Sequence, residues 1–178
     1  MTDDLQRLQL AGRASRAAAL KLRKGKIDIV IHRDGHWSYR GTPILREAMV
    51  RLFAQQLWLF EGHYYIQAPE QLLRIEVEDL PYTVITASRV NSSSGQRIVV
   101  QTNCAGEVTV GEAHPLVLSK PSARAEALPA VLVRDNLYAR VLRNPYYQLV
   151  EWGEPGEING QPTLILHSQN CRYALGEL

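Results

Sequence analysis

The sequence holds 178 residues, 46% of them apolar and 21% charged, with 12 glycines, 9 prolines and a formal net charge of +2. That composition is typical of a folded globular chain and excludes disorder, collagen and coiled coil. No window approaches the roughly 18 uncharged apolar residues of a membrane span, and no apolar core with a small-residue cleavage site follows the N-terminus, so a cytoplasmic protein with no membrane span is expected. Cys104 and Cys171 stand far apart, too few for a disulfide framework or a cysteine zinc site.

The charge is uneven. Residues 1–26 carry seven Lys/Arg against Asp3 and Asp4, a local excess of +5, and the remainder carries −3. Leu5, Leu8, Leu20 and Leu22 with the alanines of 14–19 read as a helix, with Asp3 and Asp4 at its positive end, Lys21, Arg23 and Lys24 at its negative end, and Gly25 as its stop. Such a basic arm is suited to docking, and nucleic acid is a disfavoured partner because end-placed charges more often complement the helix dipole.

Apolar runs over 27–32 and 36–40 flank Asp34-Gly35, which predicts a hairpin with a two-residue turn that pairs His32 with Trp37 and Arg33 with His36. Thr42-Pro43 offers an N-cap and first helical residue for a helix running through Leu45, Met49, Leu52, Phe53 and Phe60 to Gly62. Strands are predicted at 63–67 and 72–78. After Asp79-Leu80-Pro81 the pattern turns to strands: 82–90, 97–103, 107–110, 115–118 and 131–134, with a loop over 119–129. Asp135 caps a predicted helix over 136–143, ended by Pro145, and strands follow at 146–152, 163–167 and 172–175. The segment Val30 to Trp37 echoes Val131 to Tyr138, with an Arg-Asp pair and an aromatic at matching offsets, as a duplicated unit would.

The chemical motifs are sparse. His32-Arg33-Asp34 resembles the start of a kinase catalytic loop, but Tyr39 stands where a metal-holding Asn is required. There is no glycine-rich phosphate loop. His32 and His36 would share a metal only on a helix, so no metal and no cofactor are expected. Glu76 and Glu78 share one strand face and read as solvated, whereas Asp79 stands where the chain changes character and is placed to orient that junction. No Ser, Cys or Thr carries a flanking motif that would activate it. Arg46 opposes the dipole in the first turn of the expected helix and falls at the edge of its apolar arc. An arginine partly buried there requires an anion, either an internal carboxylate such as Asp79 or Asp34, or a phosphate-bearing ligand. Trp37, Tyr39, Tyr82 and Arg74 are available for stacking and charge at the same place.

Together, Gly25-Lys-Ile-Asp28, Arg33-Asp-Gly-His-Trp37, Gly41-Thr-Pro-Ile44 with Arg46, Arg51-Leu-Phe53, Arg74-Ile-Glu-Val-Glu-Asp79 with Pro81 and Tyr82, Val133-Arg134, and Leu175-Gly176 resemble an uncharacterised bacterial family, domain of unknown function twelve eighty-five. The resemblance covers 25–178 and departs at Gln71, Leu72, His167 and Asn170. It implies an α+β fold, mostly antiparallel β, with two small related domains that each carry one main helix. The second domain would resemble a pleckstrin-homology barrel. The expected division is a helical arm over 1–24 and domains over 25–79 and 80–178. The resemblance further implies a role in signal transduction and a nucleotide-like ligand at the domain interface. The residues carried over are Asp34, Trp37, Arg46, Arg51, Arg74, Asp79, Pro81, Tyr82 and Arg134. A small sensing protein with an anionic nucleotide-like ligand is the leading expectation. A protein-interaction module with a protein partner is the second, and a hydrolase-type enzyme using Asp34 or Asp79 has the least support.

Overall fold

The computed structural model describes Leu5, Gln6, Leu8 and residues 12–178. The chain divides into two compact units, Met1–Glu78 and Asp79–Leu178.

In the N-terminal unit the short helix α1 (Arg16–Leu20) precedes β1 (Arg23–Ile31), β2 (Trp37–Tyr39), β3 (Thr42–Pro43), helix α2 (Glu47–Gln55), β4 (Leu57–Phe60), β5 (His63–Gln67) and β6 (Gln71–Val77). The strands form one sheet in the order β3-β2-β1-β6-β5-β4, antiparallel throughout except between β1 and β6. Period-two alternation along β1 buries Ile27, Ile29 and Ile31 and leaves Lys26 and Asp28 exposed.

Thr42 and Pro43 do not open the helix; they pair with Tyr39 and Ser38 as β3, and Arg46 is the exposed N-cap of α2. Nor does that helix reach Gly62. It ends at Gln55, and 57–60 is strand, because Glu61 and Gly62 both hold positive φ (50° and 78°) and turn β4 tightly into β5.

The expected N-terminal helix is interrupted. Leu5, Gln6 and Leu8 are helical and Leu8 is buried, whereas Gly12 to Ser15 are not helical; Asp3, Asp4 and the rest of that expectation lie outside the described residues. Ser15 caps α1 by accepting from Ala18 N–H at 3.3 Å, and Ala19 is buried in a cluster with Trp58, Phe60, Tyr65 and Leu72. The arm's cations lie on those rings: Arg13 over Trp58 at 3.7 Å and Arg16 over Phe60 at 4.7 Å. Gly25 is no helix stop, since it belongs to β1, where a Cβ would come within 2.8 Å of the Gln71 side chain on β6.

The C-terminal unit has β7 (Tyr82–Ser92), β8 (Gly95–Thr102), β9 (Glu107–Val110), β10 (Leu116–Ser119), β11 (Leu128–Arg134) and β12 (Leu137–Val141) in a sheet of order β10-β11-β12-β7-β8-β9, with only β12 and β7 parallel. Helix α3 (Arg143–Glu151) leads to a three-stranded antiparallel sheet of β13 (Glu154–Ile158), β14 (Gln161–Ser168) and β15 (Cys171–Glu177). Buried Ser168 joins the two sheets, accepting from Ile98 N–H at 2.8 Å and donating to Val110 C=O at 2.6 Å.

Around Asp135 the predicted helix and strand exchange places. Asp135 and Asn136 both adopt positive φ (45° and 60°), the requirement of a type I′ turn, so 137–141 returns as a strand and the helix follows it. Pro145 then falls in the first turn of α3, where its missing N–H breaks no bond. The echo noted in the sequence corresponds to two hairpins, β1-β2 and β11-β12. The chain is α+β and mostly antiparallel, with one nine-residue helix in each unit and a further helix near the N-terminus.

Candidate functional site

On β6 the side chains alternate, so Arg74 and Glu76, with Glu78 just past the strand, face away from buried Ile75. The parallel register places Lys26 of β1 directly beside Arg74. These residues, with His63 and Tyr64 of β5, line a cleft of about 520 Å³. That is the size of an ordinary small-ligand site. Among the described residues neither the Arg74 nor the Lys26 side chain makes a hydrogen bond or ion pair.

Beside the cleft the β1-β2 turn departs from the expected register. Ile31, not His32, pairs with Trp37, and of Asp34 and Gly35 only Gly35 has positive φ (95°). The loop is one residue longer: Gly35 N–H donates to His32 C=O and His32 N–H to His36 C=O, both at 2.9 Å. This is a β-turn closed by a glycine bulge. It brings the two imidazoles into a parallel stack, with centroids 4.0 Å apart.

Each ring is held by a carboxylate. His32 Nδ1 lies 3.0 Å from Glu78 Oε1, and its Nε2 lies 2.8 Å from Ser38 Oγ. His36 Nδ1 lies 2.6 Å from Asp34 Oδ1. The hydrogen bond from Arg33 N–H at 2.8 Å, followed by the His32 ring, holds Glu78 below the usual carboxylate range. Asp34 is lowered likewise, first by the His36 N–H and then by the His36 ring.

Asp34 therefore shapes the turn. Trp37 is buried and its Nε1–H finds no acceptor among the described residues. Arg46 does not lie half-buried against Asp79 or Asp34; it is exposed, because the helix begins after it. Exposed Arg51 pairs with Glu47 one turn earlier, at 3.3 Å. In the N-terminal unit, then, Arg74 alone of the expected residues lines the cleft.

In the C-terminal unit Tyr82 and Pro81 are buried, and Arg134 donates to Tyr82 Oη at 3.2 Å and to Asp135 at 3.3 Å. Asp79 belongs to a different constellation, a two-point pair with Arg140 at 2.8 and 2.9 Å, the side chains 4% and 5% exposed. Arg140, Ser38 and the link from His32 to Glu78 have no local signature; what the sequence offers for them is only the period-two position of Ser38 on β2 and of Glu78 after β6.

Two α+β units, one carrying an open cleft edged by unpaired cations, define a class of two-domain protein without a recognisable catalytic motif in its sequence. Family models describe the same halves: the N-terminal domain of unknown function DUF1285 matches residues 22–80, and the C-terminal domain of that family matches 81–175. The chain belongs to the DUF1285 family. It is similar to a crystal structure of a DUF1285 family protein from Silicibacter pomeroyi DSS-3, with a TM-score of 0.79 and 30% identity over 94% of this chain and 90% of that one. A DUF1285 family protein from Shewanella baltica OS155 shares the fold, with a TM-score of 0.52 and 21% identity over 69% of this chain and 90% of that one. No curated protein matches the chain. No helix among the described residues is long and apolar enough to cross a membrane.

Proposed function

We propose that the chain is a small sensing protein that binds an anionic, nucleotide-like ligand in the N-terminal cleft. The observation that carries this reading is the adjacent pair Lys26 and Arg74, two cations with no carboxylate partner among the described residues. A phosphate satisfies both, and the arginine fork is suited to two-point recognition. Glu76 supplies an acceptor for ribose hydroxyls, and Tyr64 and His63 supply rings for the base. Glu78 opposes an anion less than its formal charge suggests, because Arg33 N–H and His32 already engage it. The signalling part of the proposal follows from the motif resemblance, not from the cleft.

Thermal unfolding against nucleotides, cyclic nucleotides and dinucleotides tests it. A ligand at 100 times its Kd adds about 2.7 kcal/mol, which raises the midpoint visibly. The expected result is a shift from one compound class that Arg74→Ala abolishes. A flat panel, or a shift that Arg74→Ala leaves intact, overturns it.

A further inference from the structure

The three side chains Glu78, His32 and Ser38 form one hydrogen-bonded line, at 3.0 Å from Glu78 Oε1 to His32 Nδ1 and 2.8 Å from His32 Nε2 to Ser38 Oγ. The order of groups matters. An ionised carboxylate at Nδ1 holds the proton there, so the neutral imidazole presents its Nε2 lone pair to the serine hydroxyl. A base within hydrogen-bond reach of a hydroxyl, oriented by a third group, is the arrangement that activates a serine.

The position in the sheet supports a role beyond packing. Ser38 stands opposite Val30 on β1, and Val30 stands opposite Glu76 on β6, so Ser38 belongs to the same row, on the face that carries the cleft. Glu78 is shared between the line and the cleft wall. Ser38 itself is 4% exposed, while the His32 side chain is 26% exposed, so the imidazole is the open side of the line.

We infer that Ser38 is a nucleophile activated by His32 and Glu78, and that it takes an acyl group from an ester. Ser38 Oγ attacks the ester carbonyl carbon as its proton passes to His32 Nε2. The bond to the alcohol oxygen breaks, and His32 returns that proton to the leaving alcohol. A water molecule, giving a proton to His32 as it attacks, then cleaves the acyl-serine, releasing the carboxylic acid and restoring the Ser38 hydroxyl.

The experiment is labelling of the full chain with a neutral alkyl fluorophosphonate, in which Ser38 Oγ bonds to phosphorus and fluoride leaves, read by intact mass and peptide mapping. The probe needs no anion site, so a flat nucleotide panel leaves this inference standing and failed labelling leaves the anion reading standing. One adduct on Ser38 is expected, absent in Ser38→Ala. Its rate should rise with pH and then level off, the profile of a general base that acts in its neutral form. His32→Gln should slow it by roughly 100-fold or more, and Glu78→Gln should slow it less. No adduct on Ser38, or equal rates in His32→Gln, overturns the inference. Should His32→Gln fail to fold, the wild-type profile decides: a rate that climbs with hydroxide without levelling contradicts activation by an imidazole.

Discussion

Arg140 places each guanidinium N–H on an acceptor: Nε and Nη2 on Asp79, Nη2 also on Ser119 Oγ, and Nη1 on the carbonyls of Ser119 and Leu128. Removing one partner of a buried pair strands the other charge, so Asp79→Ala should destabilise the protein by about 3–5 kcal/mol, read as a lower denaturant midpoint. Asp79 is thus a residue whose importance is visible in the sequence while its partner, 61 positions on, is not. Glu78, one residue earlier, behaves differently because it is exposed. Its folded carboxyl is held below the unfolded value, so the stability it contributes is present above the ordinary carboxylate range and is lost as pH falls through the depressed value. Glu78→Gln should therefore lower the thermal midpoint slightly near neutrality and flatten its fall between about pH 5 and pH 3.

Turn chemistry decides the elements. Asp135-Asn136 takes the tight two-residue turn that the sequence suggests for Asp34-Gly35, while Asp34-Gly35 forms the longer, bulged one. That single residue of difference changes which side chains face each other and creates the His32–His36 stack. Gly35→Ala forces an L-residue into φ 95° and should cost about 1–2 kcal/mol. Nitrogen-15 and proton spectra of the two imidazoles should change at the same time, since the stack depends on the turn. Most strands are legible from β-rich runs bounded by turn residues, as for β5, β6, β8 and β9. β13 is not legible, because Pro155 and Gly156 mask a strand that lies at the edge of its sheet. The exchange of helix and strand around Arg143 follows from a turn whose two positive-φ residues include no glycine.

At the scale of the whole chain, the class of fold and its two related halves are legible, since they rest on patterns that recur along the sequence. The site is only partly so. Cleft, ion pair and hydrogen-bonded line all join residues far apart in sequence, as when β1 pairs in parallel with β6. The basic N-terminal arm shows the same limit: its charge reads as dipole complement or docking charge, yet Arg13 and Arg16 cover aromatic rings, and Ala19 is fully buried in a cluster with those rings. Ala19→Leu should overfill that cluster and lower stability by about 1–3 kcal/mol, measured by thermal or urea unfolding.

If Lys26 and Arg74 together hold an anion, calorimetric titration of the full chain with the nucleotide that stabilises it most reads the contribution of the pair directly. A charge-assisted hydrogen bond contributes about 1.5–3 kcal/mol, so Arg74→Ala should weaken binding by roughly 10- to 100-fold. Equal affinity in the two proteins, or no heat of binding from any nucleotide, would mean that the pair does not hold a nucleotide.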